Sequence, residues 1–462
     1  MQARGKQFRV HVLAAAVAIG VGAPVTAQAS AFQLLEQGAQ GQGTSFAGTG
    51  VNWEDPATAF WNPAGMNRHD QRSATVVASV VDVSFDFSDD GSTLNAGDAG
   101  NLTYEQLPGA DATESTDGGE TAFVPNFYYV HPLSDDLTAG FAVNVPYGLE
   151  SDYDEEWVGR YHATNSELIT INLNPSIAYR LSEHVSLGGG INLQYAEATL
   201  GSRLDPSAVG PQFFFQDFNS VRGDPNDDSD VVVEGDNWGA GLNLGVAAEI
   251  NEQTRLGITY RGHVTHSIDG DVSYNHRNET FEAANEKGNV FVDADAAATI
   301  DLPETLTISY SGRPATFGND VNFMGDLTWT RWSRIDSLDI EFDSKQPDTS
   351  ESLDFNDTLR LALGAAWDVS DNWILRTGIA YDEAPVDDKA TRSPRIPDND
   401  RRWFSVGFGY HPAGSNFEID AAYSHLRISD TSIERTNEFG DVLRGDYDNS
   451  VDIVAVQGAW RF

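Results

Sequence analysis

The chain has 462 residues, a formal net charge of -42 from 70 acidic against 28 basic residues, and no cysteine. The charge argues against nucleic acid as a partner, whose phosphates would repel it, and the missing thiols exclude disulfides, thiolate metal sites and cysteine nucleophiles. After the first 29 residues no window approaches the roughly twenty apolar residues of a spanning helix, which argues against a helical inner-membrane protein.

Arg4, Lys6 and Arg9 precede the apolar run VLAAAVAIGVGA and the small-x-small site Ala27-Gln28-Ala29. This is the pattern of a secretory signal peptide over residues 1–29. An exported chain of this size without disulfides needs another source of stability, and a sheet closed on itself is one. Residues 30–72 do not alternate; they are rich in Gly and Ala and carry Pro56 and Pro63. Phe32, Leu34, Leu35, Phe46, Trp53, Phe60 and Trp61 in this stretch call for burial. The alternating segments that follow number about fourteen, and a barrel of that many strands is wide enough to need a plug, so residues 30–72 are expected inside it.

Residues 73–462 are dominated by period-two alternation, with short and long connections taking turns. The first long connection, 88–120, holds eight acidic residues without one lysine or arginine, which places the negative charge in external loops. The alternating runs end in aromatic residues, among them Tyr179, Trp238, Tyr310, Trp367, Trp373, Trp403 and Tyr410, where interfacial girdles of a membrane barrel would lie. In the third run, VNVPYGLESDY, Pro146 and Gly148 stand two positions apart. Proline has no N–H for the ladder and glycine marks a bulge or bend, so the third strand is expected to part locally from its neighbour.

The loop stretch PQFFFQDF supplies Phe213, Phe214, Phe215 and Phe218 in polar surroundings. Neighbouring residues of a strand face opposite ways, so consecutive phenylalanines point to a binding groove for apolar ligands. Asp224 to Asp230 is acidic but lacks the glycine and distal glutamate of a calcium loop, and no metal or other cofactor is expected. Further on, Leu359, Leu361, Leu363, Ala365 and Trp367 share one face, and Trp373, Leu375, Thr377, Ile379 and Tyr381 continue it. The opposite face carries Arg360 and Arg376, which alternation puts in the lumen. With Arg160 and Arg203 they are the candidate partners for an acidic headgroup. In the last run Val454, Val456, Gly458, Trp460 and Phe462 share a face, a terminal pattern suited to the barrel-assembly machinery.

The segments SAFQLLEQGAQGQGTSFAGTG, FWNPAGM, VPYGLESDY, LPETLTISY and RIPDNDRRWFSVGFGY, in this order, resemble the FadL-type family of outer-membrane transporters. The resemblance implies an all-β fold: a transmembrane antiparallel barrel over residues 73–462, with residues 30–72 as an N-terminal hatch inside it. It implies energy-independent uptake of long-chain fatty acids or other hydrophobic compounds, and a location in the bacterial outer membrane among its lipid and lipopolysaccharide. By the same resemblance Asn62, Pro63 and Ala64 match the hatch motif, and Phe32 matches a phenylalanine of the inner pocket. Gly148 matches the glycine at the third-strand kink, proposed with Pro146 as a lateral gate. Arg203 falls one residue from a pocket arginine, and an expected pocket lysine has no basic counterpart around Ser350 and Glu351. The mechanism expected is capture in an external apolar groove, transfer to a luminal pocket and sideways exit at the kink. A hydrocarbon channel is the nearest alternative. A general porin or an outer-membrane enzyme fits less well, since no G-x-S-x-G occurs and no enzymatic role is expected.

Overall fold

The computed structural model describes residues 31–462, apart from 108, 207–221, 278–280, 282–289, 318 and 319. The alternating segments form one closed antiparallel barrel of 14 strands. In chain order these are β1 (Ser73–Asp89), β2 (Thr121–Pro132), β3 in two pieces (Leu137–Asn144 and Gly148–Asp152), β4 (Asn165–Arg180) and β5 (Val185–Leu204). There follow β6 (Ser229–Asn251), β7 (Thr254–Arg261 and Val264–Asn275), β8 (Ala294–Leu302 and Thr305–Gly312) and β9 (Val321–Thr330 and Ser337–Phe342). The last are β10 (Thr349–Ser352 and Thr358–Ser370), β11 (Trp373–Asp382), β12 (Arg401–Tyr410), β13 (Phe417–Ile428 and Thr431–Thr436) and β14 (Val442–Arg461). β1 closes on β14, from Ser73 opposite Arg461 to Asp89 opposite Gly445. Closure pairs the first strand with the last, so neither is left as the free sheet edge that backbone polar groups could not sustain in hydrocarbon. The barrel begins and ends at one rim, where the Phe462 amide donates to the Arg72 carbonyl at 2.9 Å.

The polarity of the wall is inverted relative to a soluble protein. Leu361 and Leu363 are 51% and 53% exposed, while Arg360 and Ala362, which alternate with them, are buried. Tyr179, Trp238, Tyr310, Trp367 and Trp373 are likewise turned outward, as lipid-facing aromatics should be. Trp403 departs from the expected girdle. It is fully buried, because its alternation partners on β12 are Ser405 and Gly407, which line the lumen, whereas Phe404, Val406 and Phe408 face out. Its ring packs edge-on against Phe46 of the N-terminal segment, 5.9 Å between centroids.

Residues 31–72 fill the lumen as a chain of single helical turns, and their polar groups bond to the wall. Gly48 N, Thr49 N and Thr49 Oγ1 donate to the Asp326 carboxylate on β9 at 2.9, 3.0 and 2.6 Å. Gln42 Nε2 donates to the Ile453 carbonyl, and Gln457 of β14 accepts from Ala39 N and donates to Asp55. Asn62 caps the 3-10 turn Pro63–Arg68: its Oδ1 accepts from Ala64 N, and its Nδ2 donates to the Gly50 and Val246 carbonyls. Proline at the first position of that turn costs nothing, since its missing N–H would have been an orphan there. The wall makes room by omission. A Cβ at Gly188 on β5 would run into Pro63 and Ala64, and one at Gly378 on β11 into the Thr44 backbone.

Candidate functional site

The third strand is where the wall opens. β2 pairs with the lower piece of β3 from Phe127 opposite Val143 to Pro132 opposite Thr138. The upper piece pairs only with β4, from Gly148 opposite Ile169 to Asp152 opposite Asn165. Among the described residues no ladder pair joins the upper piece to β2, so the sheet parts there. Pro146 explains why: it lacks an amide to continue the ladder.

The start of the hatch supplies the missing pairing from inside. Leu34 N donates to the Pro146 carbonyl and Gly148 N donates to the Phe32 carbonyl, both at 2.9 Å, with Gln33 opposite Tyr147. A two-bond strand addition therefore covers the exposed edge. A Cβ on Gly148 would stand 3.0 Å from Leu34 Cδ1, a tight contact that the leucine side chain would have to give way to, so glycine suits the close approach of the hatch. Gln37 locks the next turn. Its Nε2 donates to the Val145 and Leu34 carbonyls, and its Oε1 accepts from Asn144 Nδ2 and Tyr128 OH. Tyr147, between the two strand-breaking residues, points across the lumen and donates to the Pro303 carbonyl at 3.0 Å.

Two cavities lie above this plug. The inner one, about 150 Å³, is lined by Phe32, Leu149, Leu168, Ile268, Ile335 and Ile396. The Phe32 ring meets Trp332 edge-on at 5.0 Å and lies 6.1 Å from Tyr147. The wall facing Phe32 is built where β8 and β9 are themselves interrupted, after Leu302 and Thr330. The outer cavity, about 190 Å³, is lined by Leu204, Val231, Tyr274, Phe291 and Phe439, with Arg203 at its side. Leu200, Val233, Leu338 and Ile340 line both cavities, which therefore abut.

The structure disperses the four candidate arginines. Arg203 borders the outer cavity and pairs with Glu155 and with Asp230, the latter at 2.9 Å. Arg160 is fully buried among loops, bonded to Asp228 at 2.7 Å, the Tyr161 hydroxyl and the Gly223 carbonyl. Arg360 points inward as alternation requires, donates to the Ser45 carbonyl at 2.7 Å and lies 5.2 Å from the Trp403 ring. Arg376 is also inward, 2.7 Å from Asp420, beside a polar cavity of about 260 Å³ near the rim with the chain ends. Phe213, Phe214, Phe215 and Phe218 lie outside the described residues. Gln37, Tyr147 and Trp332 escape a sequence reading, although the position of Tyr147 between Pro146 and Gly148 was a usable signal.

Glu36 adds a titratable element within the plug. Its side chain is fully buried, and burial pushes its carboxyl up to about 7, with its own backbone amide and Arg401 pulling the other way. A carboxyl raised in the folded state favours the protonated form. Its contribution is complete below the ordinary value near 4.5 and is lost as pH rises through about 7. The melting temperature of the detergent-solubilised barrel is therefore expected to fall between mildly acidic and mildly alkaline buffer. Glu36→Gln should flatten that profile; an unchanged slope in the variant would assign it to another group.

Comparison with known proteins agrees with this architecture. The family model "Outer membrane protein transport protein (OMPP1/FadL/TodX)" matches residues 21–462. Outer membrane protein P1 of Haemophilus influenzae is 30% identical, with 94% of each chain covered. A long-chain fatty acid transport protein of Escherichia coli O6:H1 is also 30% identical, over 90% of this chain and 91% of its own. Among solved structures, a Pseudomonas aeruginosa FadL homologue superposes with a TM-score of 0.84 at 25% identity, covering 94% of this chain and all of that one. A plugged, lipid-facing barrel of 14 strands and a family match along nearly its whole length lead to one conclusion: the chain belongs to the OMPP1/FadL/TodX family of outer-membrane transport proteins.

Proposed function

We propose that this barrel admits long-chain fatty acids or related hydrophobic compounds passively, and that the ligand leaves through the wall instead of through the bottom. The observation that carries the reading is the pairing of Phe32–Leu34 with the open edge at Pro146–Gly148, directly under an apolar cavity. A ligand enters the outer cavity, passes to the inner one and displaces the hatch start from the strand edge. It then exits beside Gly148 without meeting water. The advantage of that route is large, since each buried methylene is worth about 0.8 kcal/mol. No chemical transformation is part of the scheme; Arg203 is proposed to orient an acidic head at the outer cavity, and Phe32 to close the inner one.

A smaller cargo has a specific observation behind it. The inner cavity, at about 150 Å³, has the size of an engineered apolar void that holds one benzene. A long alkyl chain would have to extend into the outer cavity as well. Cells lacking their own transporter and expressing this chain are expected to accumulate labelled oleate or toluene faster than vector controls. An assembled barrel that raises the uptake of neither rejects the reading.

A further inference from the structure

The junction between the two cavities is charged, and the charges form a closed set. Among the described residues that line both cavities, only Glu351 and Arg395 are ionic. Arg395 Nε lies 3.5 Å from one Glu351 oxygen and Arg435 Nη2 lies 3.4 Å from the other. One carboxylate thus sits between two guanidinium groups at the neck that joins the outer cavity to the inner one.

The two arginines do not depend on Glu351 for their position. Arg395 Nη1 donates to the Asn165 carbonyl at 3.0 Å, Ser166 Oγ at 2.9 Å and the Gly201 carbonyl at 3.1 Å, and its Nη2 donates to the His162 carbonyl at 3.0 Å. Arg435 donates to the Thr391 carbonyl at 2.7 Å and the Ser352 carbonyl at 2.9 Å. Each guanidinium is anchored to main chain on two sides and turns its remaining N–H groups to the neck. Glu351 is held less firmly: both of its ion-pair distances exceed the about 2.7–2.9 Å of a tight charge-assisted bond. The arrangement is a preorganised carboxylate site already filled by the protein's own side chain.

We propose that Glu351 is an internal counter-ion that occupies this site and sets the preference of the neck toward ligands without negative charge. The proposal rests on the transport reading above and adds the residue that selects among its cargoes. A neutral hydrophobe meets a balanced ion pair and passes along the apolar side formed by Leu200, Val233, Leu338 and Ile340. An ionised fatty acid has to displace the Glu351 carboxylate from both arginines before its own head is accepted. Removing the charge at position 351 leaves two fixed cations without an ion-pair partner among the described residues and converts a screen into a receptor.

The test compares two ligands with one tail. Binding of labelled dodecanoate and dodecan-1-ol to the full-length protein is measured in one detergent at mildly alkaline pH, where the acid is ionised. Glu351→Gln is expected to raise the affinity for dodecanoate by about tenfold or more, the worth of a hydrogen bond to a charged partner, and to leave dodecanol near its wild-type value. Glu351→Asp, which keeps the charge, should follow the wild type. Equal shifts for both ligands, or an unchanged dodecanoate affinity in assembled Glu351→Gln, overturns the proposal while dodecanol binding keeps the transport reading standing. Arg435→Gln examines the same neck from its other side. It should weaken dodecanoate and spare dodecanol, and loss of both or of neither also overturns the proposal. A wild-type protein that binds neither ligand removes the transport reading, and this inference with it.

Discussion

Cells that carry Gly148→Trp are expected to take up labelled oleate about five- to 150-fold more slowly than cells with the unaltered barrel. The figure converts the ~1–3 kcal/mol of overpacking at a tight site into a rate. The site is tight because the hatch lies against it: even a single Cβ would be 3.0 Å from Leu34 Cδ1. An indole there has two places to go, and both obstruct the proposed exit. It can fill the parting between β2 and the upper piece of β3, or it can push the Phe32–Leu34 segment off its two bonds and into the inner cavity. Gly148→Ala should show a smaller loss of the same kind. The measurement is initial uptake rate, with heat-modifiable migration on gels as the check that the barrel has assembled. A tryptophan variant that assembles and transports at the normal rate rules out sideways exit at this strand.

The second large effect concerns the plug. Asp326→Ala removes a buried carboxylate that accepts three hydrogen bonds from Gly48 and Thr49. Each donor left unsatisfied costs about 1–3 kcal/mol, so the hatch loses roughly 3–9 kcal/mol of its attachment to β9. That raises the displaced fraction by about two to six orders of magnitude. In planar bilayers the variant is expected to show frequent openings where the parent shows few, and cells should become sensitive to large polar antibiotics. Asp326→Asn keeps one acceptor oxygen and should fall between. Closed, quiet channels in Asp326→Ala would mean that the hatch is held by its apolar packing alone.

Much of this architecture is legible in the residues because a lipid-facing barrel wears its alternation openly. Leu361 and Arg360 sort to opposite faces on period alone, and so do Leu375 and Arg376. Trp403 was harder. Its neighbour Phe404 is also aromatic, and nothing local says which of two adjacent rings goes to lipid; the inward assignment comes from Ser405 and Gly407 further along β12 and from Phe46 across the lumen. The opening at β3 was visible because proline and glycine damage a ladder in known ways. Its cover was not, since Gln33 carries no local sign that it will lie opposite Tyr147, more than a hundred positions away. The charged neck hides for the same reason: Glu351, Arg395 and Arg435 come from separate stretches, and only closure of the barrel brings them together. At Glu351 an isolated acid reads as a missing cation, whereas the cations stand beside it on the connection after β11 and on β13.

The bare wall positions at Gly188 and Gly378 carry a practical consequence for engineering. Their inner surface is a mould of one particular insert, so the insert and its container form a single module. Grafting the first segment of a distant homologue into this cylinder, without recasting those positions, would meet a mould cut for a different shape. Chimeras that move both parts together are the ones to build.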